Sequence, residues 1–101
     1  VFSATTFPSP IQRAIAREEN GQAKMFWPEH LLTRSQDLPE AWHDVGQFYW
    51  GRRDAWVGAV PVLTGQSLIH EIPRWRVQDI DTPEDWVRAE LLFEMLQRSD
   101  L

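Results

Sequence analysis

Two aspartates that lie two residues apart, Asp79 and Asp81, are the side chains best suited to chemistry in this sequence. The residues from Val77 to Ile80 predict the end of a buried strand, where side chains alternate between the two faces. Both carboxylates would then point the same way. Paired carboxylates at the end of a strand, beside a helix start, often hold a divalent cation and a phosphate ligand. A role limited to capping and solvating the turn stays open.

Two further side chains, Arg34 and Tyr49, are candidates for ligand binding. Arg34 lies among acids and aromatics, and an arginine fork can hold a carboxylate by two-point contact. The alternative for Arg34 is a surface ion pair with Asp37 or Glu40, which contributes little. Tyr49 is a candidate for lining a sugar pocket, because flat aromatic faces pack on sugar rings.

Three polar residues precede the aspartates at alternating positions, Arg74, Arg76 and Gln78. In extended geometry all three side chains leave on one face. They would serve a negatively charged ligand next to the cation, or the arginines would pair with Asp79. The pattern does not decide between these alternatives.

These residues must be positioned by a small set of elements. Thr82, Pro83 and the acids after them match a helix start, and Trp86, Ala89, Phe93 and Leu96 form one apolar stripe along the helix. Turn signals and apolar runs predict the other elements. In the first half of the chain they are a strand over residues 1–7, a hairpin that turns at Asn20-Gly21 and a helical turn at 38–41. In the second half they are a strand with buried Phe48 and Trp50 at 47–50, a short helix or loop at 55–62 and a strand at 67–72.

Composition excludes several classes of function. The net charge of −5 argues against binding to a nucleic acid backbone. The chain has no cysteine, which excludes disulfides and thiolate metal sites and fits a reducing, cytoplasmic compartment. No apolar run is long enough for a membrane helix. The histidines His30, His43 and His70 lack the spacing of metal ligands, and there is no glycine-rich phosphate loop.

Four segments together resemble the C-terminal half of an acylneuraminate cytidylyltransferase, a CMP–nonulosonic acid synthetase. They are TTFPSPIQRA at residues 5–14, MFWPEH at 25–30, RSQDLPEAWHDVGQFYWG at 34–51 and IPRWRVQDIDTPEDWVRAE at 72–90. They cover most of the chain in the expected order, and they look closer to the pseudaminic acid branch than to the sialic acid branch.

The resemblance implies an α/β fold. It would be the C-terminal part of a doubly wound, nucleotide-diphospho-sugar transferase-like sheet, in a single partial domain over residues 1–101. A protruding β-rich arm at 12–43 would exchange across a homodimer, and a helix would end the chain. The opening on a strand at Val1 fits a chain that enters in the middle of such a fold.

The resemblance also implies the transfer of CMP from CTP to a nonulosonic acid, with Mg²⁺ as cofactor. Asp79 and Asp81 match the carboxylates that hold the catalytic magnesium, Arg34 matches an arginine for the sugar's carboxylate, and Tyr49 matches an aromatic of the sugar pocket. Gln36, Arg74, Arg76 and Gln78 join them as expected substrate-binding residues. No nucleic acid or membrane partner is expected.

Two departures from the family limit these expectations. Gln12 and His43 stand where sialic acid enzymes carry basic residues, so the sugar or the hold on its carboxylate differs. The nucleotide-binding half of the family is absent, so we expect the 101-residue chain to be inactive alone. Two other classes remain open: a dimerisation and interaction module without chemistry, and a small carbohydrate-binding module that uses tryptophan platforms.

Overall fold

A computed structural model describes residues 1–98 as a mixed α/β protein with a C-terminal helix. The elements are the strands β1 (Phe2–Thr6), β2 (Ile15–Arg17), β3 (Ala23–Met25), β4 (Trp42–Tyr49) and β5 (Ile69–Glu71), and the helices α1 (Arg53–Val57) and α2 (Pro83–Arg98). The chain divides into two compact units, one made of Val1–Thr5 with the chain from His43 onward and one made of Thr6–Trp42. The α/β class is as expected, and the doubly wound sheet stays a prediction.

The first unit is built on a three-stranded sheet in the order β4-β1-β5. β1 and β5 run parallel, with Phe2 opposite Ile69 and Ala4 opposite Glu71. β4 runs in the opposite direction, because the N–H of Trp50 donates to the carbonyl of Val1 (2.7 Å) while residues 47 and 48 lie beside Ser3. The central strand holds the buried side chains, Phe2, Ser3, Ala4 and Thr5. The predicted strands at 1–7 and 67–72 are therefore confirmed.

β4 begins five residues before the predicted strand and contains an irregular step. Gly46 has φ +66°, a left-handed conformation that suits glycine. At this step the buried Ser3 Oγ accepts hydrogen bonds from the N–H groups of Gln47 (3.1 Å) and Phe48 (3.2 Å). The prediction that Phe48 and Trp50 lie in the core is wrong, since their side chains are 39% and 75% exposed. Phe48 lies near the end of β4, an edge strand of the described sheet, and Trp50 lies beyond the end of that strand.

The second unit contains the predicted hairpin. β2 and β3 pair antiparallel, with Ile15 opposite Met25, and the turn between them includes Gly21 at φ +85°. The helical turn in this unit covers Ser35–Asp37 rather than residues 38–41. It ends at Leu38 because the residue before a proline avoids helical geometry, and Leu38 is extended at φ −96° and ψ 135°.

The strand predicted over residues 77–80 is absent from the described part of the chain. A 3₁₀ turn covers Arg74–Arg76, and Pro73 is its N-cap residue, with φ −59°. The residues between this turn and α2 then form an irregular loop. The alternation that placed Arg74, Arg76 and Gln78 on one face therefore does not hold, and Asp79 and Asp81 lie on a loop instead of a strand end.

α2 has the predicted start. The Thr82 hydroxyl accepts the N–H of Asp85 (3.1 Å), and Pro83 occupies the first helical position. Of the predicted apolar stripe, Ala89 and Leu96 are half-buried, whereas Trp86 is 59% and Phe93 60% exposed. Leu92, outside that stripe, is half-buried. Among the helices in residues 1–98, none has the length and apolar character needed to cross a membrane.

Candidate functional site

The loop that carries Asp79 and Asp81 is held at both ends by side chains. Gln78 Nε2 donates to the Asp79 carbonyl (2.8 Å), and Asp85 Oδ2 accepts the backbone N–H of Asp81 (3.0 Å) and of Thr82 (3.1 Å). The Asp79 carbonyl and the N–H groups of Asp81 and Thr82 therefore have defined hydrogen-bond partners. The carboxylates of Asp79 and Asp81 remain exposed to solvent.

The two carboxyl groups face each other although they are not on a strand. A hydrogen bond to Asp79 raises the pKa of Asp81, and the negative charge of Asp79 raises it further. Asp85 behaves in the opposite way: the hydrogen bond from the Asp81 N–H lowers the pKa of Asp85. The raised pKa means that Asp79 favours the protonated form of the Asp81 carboxyl group.

The donor set of this pair fits a hard divalent cation. Mg²⁺ in proteins often takes one or two carboxylates and completes its octahedron with water and substrate phosphates. Within residues 1–98, no group of three or more histidine, cysteine, aspartate or glutamate side chains has metal-binding geometry. The described chain therefore offers Asp79 and Asp81 as two ligands, and the remaining positions would fall to water and to the ligand.

Asp79 also borders a cavity of about 360 Å³. The cavity is lined by the first half of β4 and by the loop, through His43, Asp44, Val45, Gly46, Val77 and Asp79. The strand contributes a carboxylate and an imidazole, and the loop contributes a second carboxylate. A polar ligand with hydroxyl or amide hydrogens would find acceptors on both sides of this cavity.

Tyr49 is tied to this cavity through Asp44. The phenol of Tyr49 donates to Asp44 Oδ2 (2.6 Å), and Asp44 Oδ1 accepts the N–H of Gly46 (2.8 Å). The hydrogen bond to Asp44 raises the pKa of Tyr49, and a small desolvation adds to this effect. Tyr49 itself lines a separate cavity of about 170 Å³, and its bond to Asp44 is what links it to the cavity beside Asp79.

The other predicted binding residues lie elsewhere. Arg76 and Gln78 line a separate cavity of about 240 Å³ beside α2, and the Arg76 carbonyl accepts Gln47 Nε2 (3.0 Å). Arg74 lies at the start of the 3₁₀ turn and is exposed. The structure therefore does not bring Arg74 and Arg76 to the carboxylate pair, and Gln78 contacts it through the Asp79 backbone carbonyl.

Arg34 and Gln36 belong to the second unit. Arg34 Nε pairs with Asp37 Oδ2 (3.0 Å), and both side chains are more than half exposed. This is the surface ion pair that stood as the alternative for Arg34. It leaves the terminal Nη groups of the guanidinium outside that bond. Gln36 lies in the Ser35–Asp37 turn. Gln12 Nε2 donates weakly to the Pro39 carbonyl (3.4 Å), while its Oε1 is buried without a hydrogen-bond partner in the described chain.

Two residues near the carboxylate pair were missed in the sequence. Asp44 is recognisable by a local signal, since an aspartate two residues before a glycine commonly accepts that glycine's N–H. No local sequence pattern predicts that Asp44 lies close to Asp79, because 35 positions of chain separate the two residues. Asp85 stood in the predicted helix start, but its bond to the Asp81 backbone was not foreseen.

Comparison with known proteins shows which curated proteins the chain is similar to. No family model matches it. Two curated relatives, both from Campylobacter jejuni strains, are 41% identical over 99 residues, which is 98% of this chain and 43% of each relative. A Helicobacter pylori protein is 34% identical over 80 residues, which is 79% of this chain and 15% of that protein. The chain therefore spans less than half the length of the curated relatives that it matches.

All three relatives are named as cytidylyltransferases. The C. jejuni proteins are each named pseudaminic acid cytidylyltransferase, and the H. pylori protein is named pseudaminic acid cytidylyltransferase and UDP-2,4-diacetamido-2,4,6-trideoxy-beta-L-altropyranose hydrolase. The resemblance to this family, in its pseudaminic acid branch, is confirmed: the chain is homologous to a segment of pseudaminic acid cytidylyltransferases.

Proposed function

We propose that this chain is the metal-binding and sugar-binding part of an enzyme that transfers CMP from CTP to a nonulosonic acid of the pseudaminic type. The observation that carries the proposal is the 41% identity over 98% of the chain to two proteins of that name. The facing carboxyl groups of Asp79 and Asp81 support it, because a nucleoside triphosphate reacts as a metal complex. The cytoplasm, which holds CTP, is the expected location.

In the proposed reaction the anomeric hydroxyl oxygen of the sugar acid attacks the α-phosphorus of CTP. A new P–O bond forms, the bond to the β-phosphate oxygen breaks, and pyrophosphate leaves while the hydroxyl loses its proton. Asp79 and Asp81 would hold Mg²⁺, which neutralises charge on the phosphate oxygens when bound. Tyr49, with Asp44 behind it, would position the sugar in the neighbouring cavity.

The remaining candidates receive weaker roles. The Nη groups of Arg34 would hold the sugar's carboxylate, and Gln36 would lie beside it. Arg74, Arg76 and Gln78 are proposed only as second contacts, because Arg76 and Gln78 line the cavity beside α2. The second unit would be the arm that exchanges across a homodimer. The exposure of Phe26 (61%), Leu31 (65%) and Leu32 (90%) in that unit supports this role.

The test is a chimera in which this chain replaces the matching 99-residue segment of a C. jejuni relative. Incubated with CTP, Mg²⁺ and pseudaminic acid, the chimera should form the CMP-sugar and pyrophosphate, and the 101-residue chain alone should not. Asp79→Asn in the chimera should lower kcat by at least about 100-fold, because metal coordination supplies several kcal/mol of charge stabilisation.

Four outcomes would count against parts of the proposal. A folded chimera that makes no CMP-sugar, beside an active C. jejuni parent, would contradict the transfer. Turnover of sialic acid in preference to pseudaminic acid would correct the sugar. Turnover by the isolated chain would refute its predicted inactivity. A chain that forms dimers and leaves the chimera inactive would favour an interaction module instead.

A further inference from the structure

Asp85 lies outside the carboxylate pair and yet contacts its backbone directly. Its Oδ2 atom accepts two N–H groups, that of Asp81 at 3.0 Å and that of Thr82 at 3.1 Å. In return, the Asp85 N–H donates to Thr82 Oγ1 at 3.1 Å. The bond between Thr82 and Asp85 is an ordinary helix cap. The bond to Asp81 reaches one residue further, into the loop.

We propose that Asp85 is a positioning residue that orients Asp81 for the divalent cation. The inference rests on the proposed metal site. An exposed loop offers an aspartate many orientations, and fixing its backbone N–H restricts the direction in which the carboxylate leaves the chain. Side chains that orient metal ligands in this way typically contribute tenfold or more to metal affinity. The metal-binding pair is thereby joined to the first turn of α2.

Gln78 restrains the pair from the other side. Its Nε2 donates to the Asp79 carbonyl at 2.8 Å. The two side-chain bonds therefore restrain the backbone between the aspartates, one at the Asp79 carbonyl and one at the Asp81 N–H. Asp85 and Gln78 are both half-buried. Asp85 differs in that its carboxylate accepts two N–H groups, whereas Gln78 makes one bond to the Asp79 carbonyl.

The chain supplies three variants that separate positioning from charge and from helix capping. Asp85→Ala removes both acceptor bonds. Asp85→Asn keeps an acceptor oxygen in the same place and removes the charge. Thr82→Ala removes the hydroxyl cap and leaves the bond from the Asp81 N–H to Asp85, so it is the matched control for weakening the helix start.

The probe is Mn²⁺ alone, added to the 101-residue chain and followed by paramagnetic broadening of the backbone amide resonances of Asp79 and Asp81. Asp85→Ala should need about tenfold more Mn²⁺ for half-maximal broadening. Thr82→Ala and Asp85→Asn should stay within about twofold of the parent. Without metal, the Asp81 amide should exchange with solvent faster in Asp85→Ala than in Thr82→Ala, and circular dichroism should show the same helix content in both.

Each contrary result has a separate meaning. Equal weakening by Asp85→Ala and Thr82→Ala would overturn the inference, because helix capping alone would explain it. Equal weakening by Asp85→Asn and Asp85→Ala would overturn it in favour of a charge effect. A parent chain that shows no broadening at either aspartate would reject the metal site itself. Unchanged exchange at the Asp81 amide in Asp85→Ala would reject the positioning bond, whatever the metal does.

Discussion

Tyr49 is the only tyrosine of the chain, which makes its ionisation directly observable. Its phenol donates to Asp44, and this bond raises its pKa above the ordinary value of 10.0. A raised pKa favours the protonated phenol in the folded state, so this contribution to stability is present below pH 10.0 and is lost as pH rises through the folded pKa. Absorbance at 295 nm should therefore show ionisation above pH 10.0.

Two variants at position 44 check the cause of this shift. Asp44→Ala removes the acceptor and the charge, so the pKa of Tyr49 should return to the ordinary value. Asp44→Asn keeps an acceptor oxygen without the charge, and should give an intermediate pKa. Asp37→Asn changes an aspartate that pairs with Arg34 in the other unit, and serves as the control. A titration of Tyr49 that is the same in all four proteins would contradict the contact.

Asp81 gives a second prediction at the residue scale. Its folded-state pKa is raised above 3.8, chiefly by the hydrogen bond to Asp79. The protonated pair therefore stabilises the fold below pH 3.8, and this contribution is lost as pH rises through the folded pKa. In EDTA at pH 7, Asp81→Asn should have a Tm equal to or above that of the parent, because one of two facing negative charges is gone.

Mg²⁺ should reverse that order. It should raise the Tm of the parent at pH 7 and leave the Tm of Asp81→Asn unchanged, because only the parent offers both carboxylates. Glu84→Gln removes one negative charge from the same helix turn without touching the pair, and its Tm should still rise with Mg²⁺. A Tm increase in Asp81→Asn as large as in the parent would show that the cation binds elsewhere.

Among the elements, the position of α2 could be predicted and the loop before it could not, although Trp86 and Phe93 of its predicted apolar stripe are exposed. The start of α2 depends on Thr82 and Pro83 and its length on a repeating apolar pattern, and both are local properties of the chain. Residues 77–80 alternate like a strand, but so short a run does not separate strand from loop. In the structure, the 3₁₀ turn after Pro73 leads into an irregular loop instead of the predicted strand.

The candidate site divides in the same way. Asp79 and Asp81 were found because they are neighbours in the sequence, and they face each other although the predicted strand is absent. Asp44 was missed as part of the site because its place beside Asp79 depends on how β4 packs, and no local pattern records that packing. The exposure of Trp50 also depends on packing, because an apolar residue at a sheet edge has the same local pattern as one in a core.

Ser3 gives a prediction at the scale of the sheet. Its side chain is fully buried, and its Oγ accepts the N–H groups of Gln47 and Phe48 at the irregular step in β4. Ser3→Ala leaves both N–H groups without that acceptor, which should lower the free energy of unfolding by about 1–3 kcal/mol. Urea denaturation followed by tryptophan fluorescence measures this loss. The exposed Ser9 is the control, and Ser9→Ala should change stability by less than about 0.5 kcal/mol. An equal effect at both serines would contradict the assigned role of Ser3.

At the scale of the whole molecule, the chain exposes more apolar surface than a stable small domain usually does. The buried apolar side chains in residues 1–98 are Phe2 and Ala4, whereas Trp50, Val57 and Leu68 are each about 70% exposed. The curated relatives are more than twice as long as the matched segment. An apolar surface of this extent normally contacts further protein, so the isolated chain should bind a hydrophobic dye such as ANS and self-associate.

Two lysine substitutions distinguish the ways in which the chain can associate. Leu68 is 69% exposed next to the edge strand β5, and Leu32 is 90% exposed in the second unit. Charges on a sheet edge block pairing between edges, so Leu68→Lys should reduce open-ended association and leave a discrete dimer intact. Leu32→Lys should instead convert that dimer to monomer if the second unit is the exchanged arm. Light scattering coupled to size exclusion measures both. Association that neither substitution changes would argue against both surfaces. A dimer that only Leu68→Lys disrupts would show that the dimer interface is the sheet edge and not the second unit.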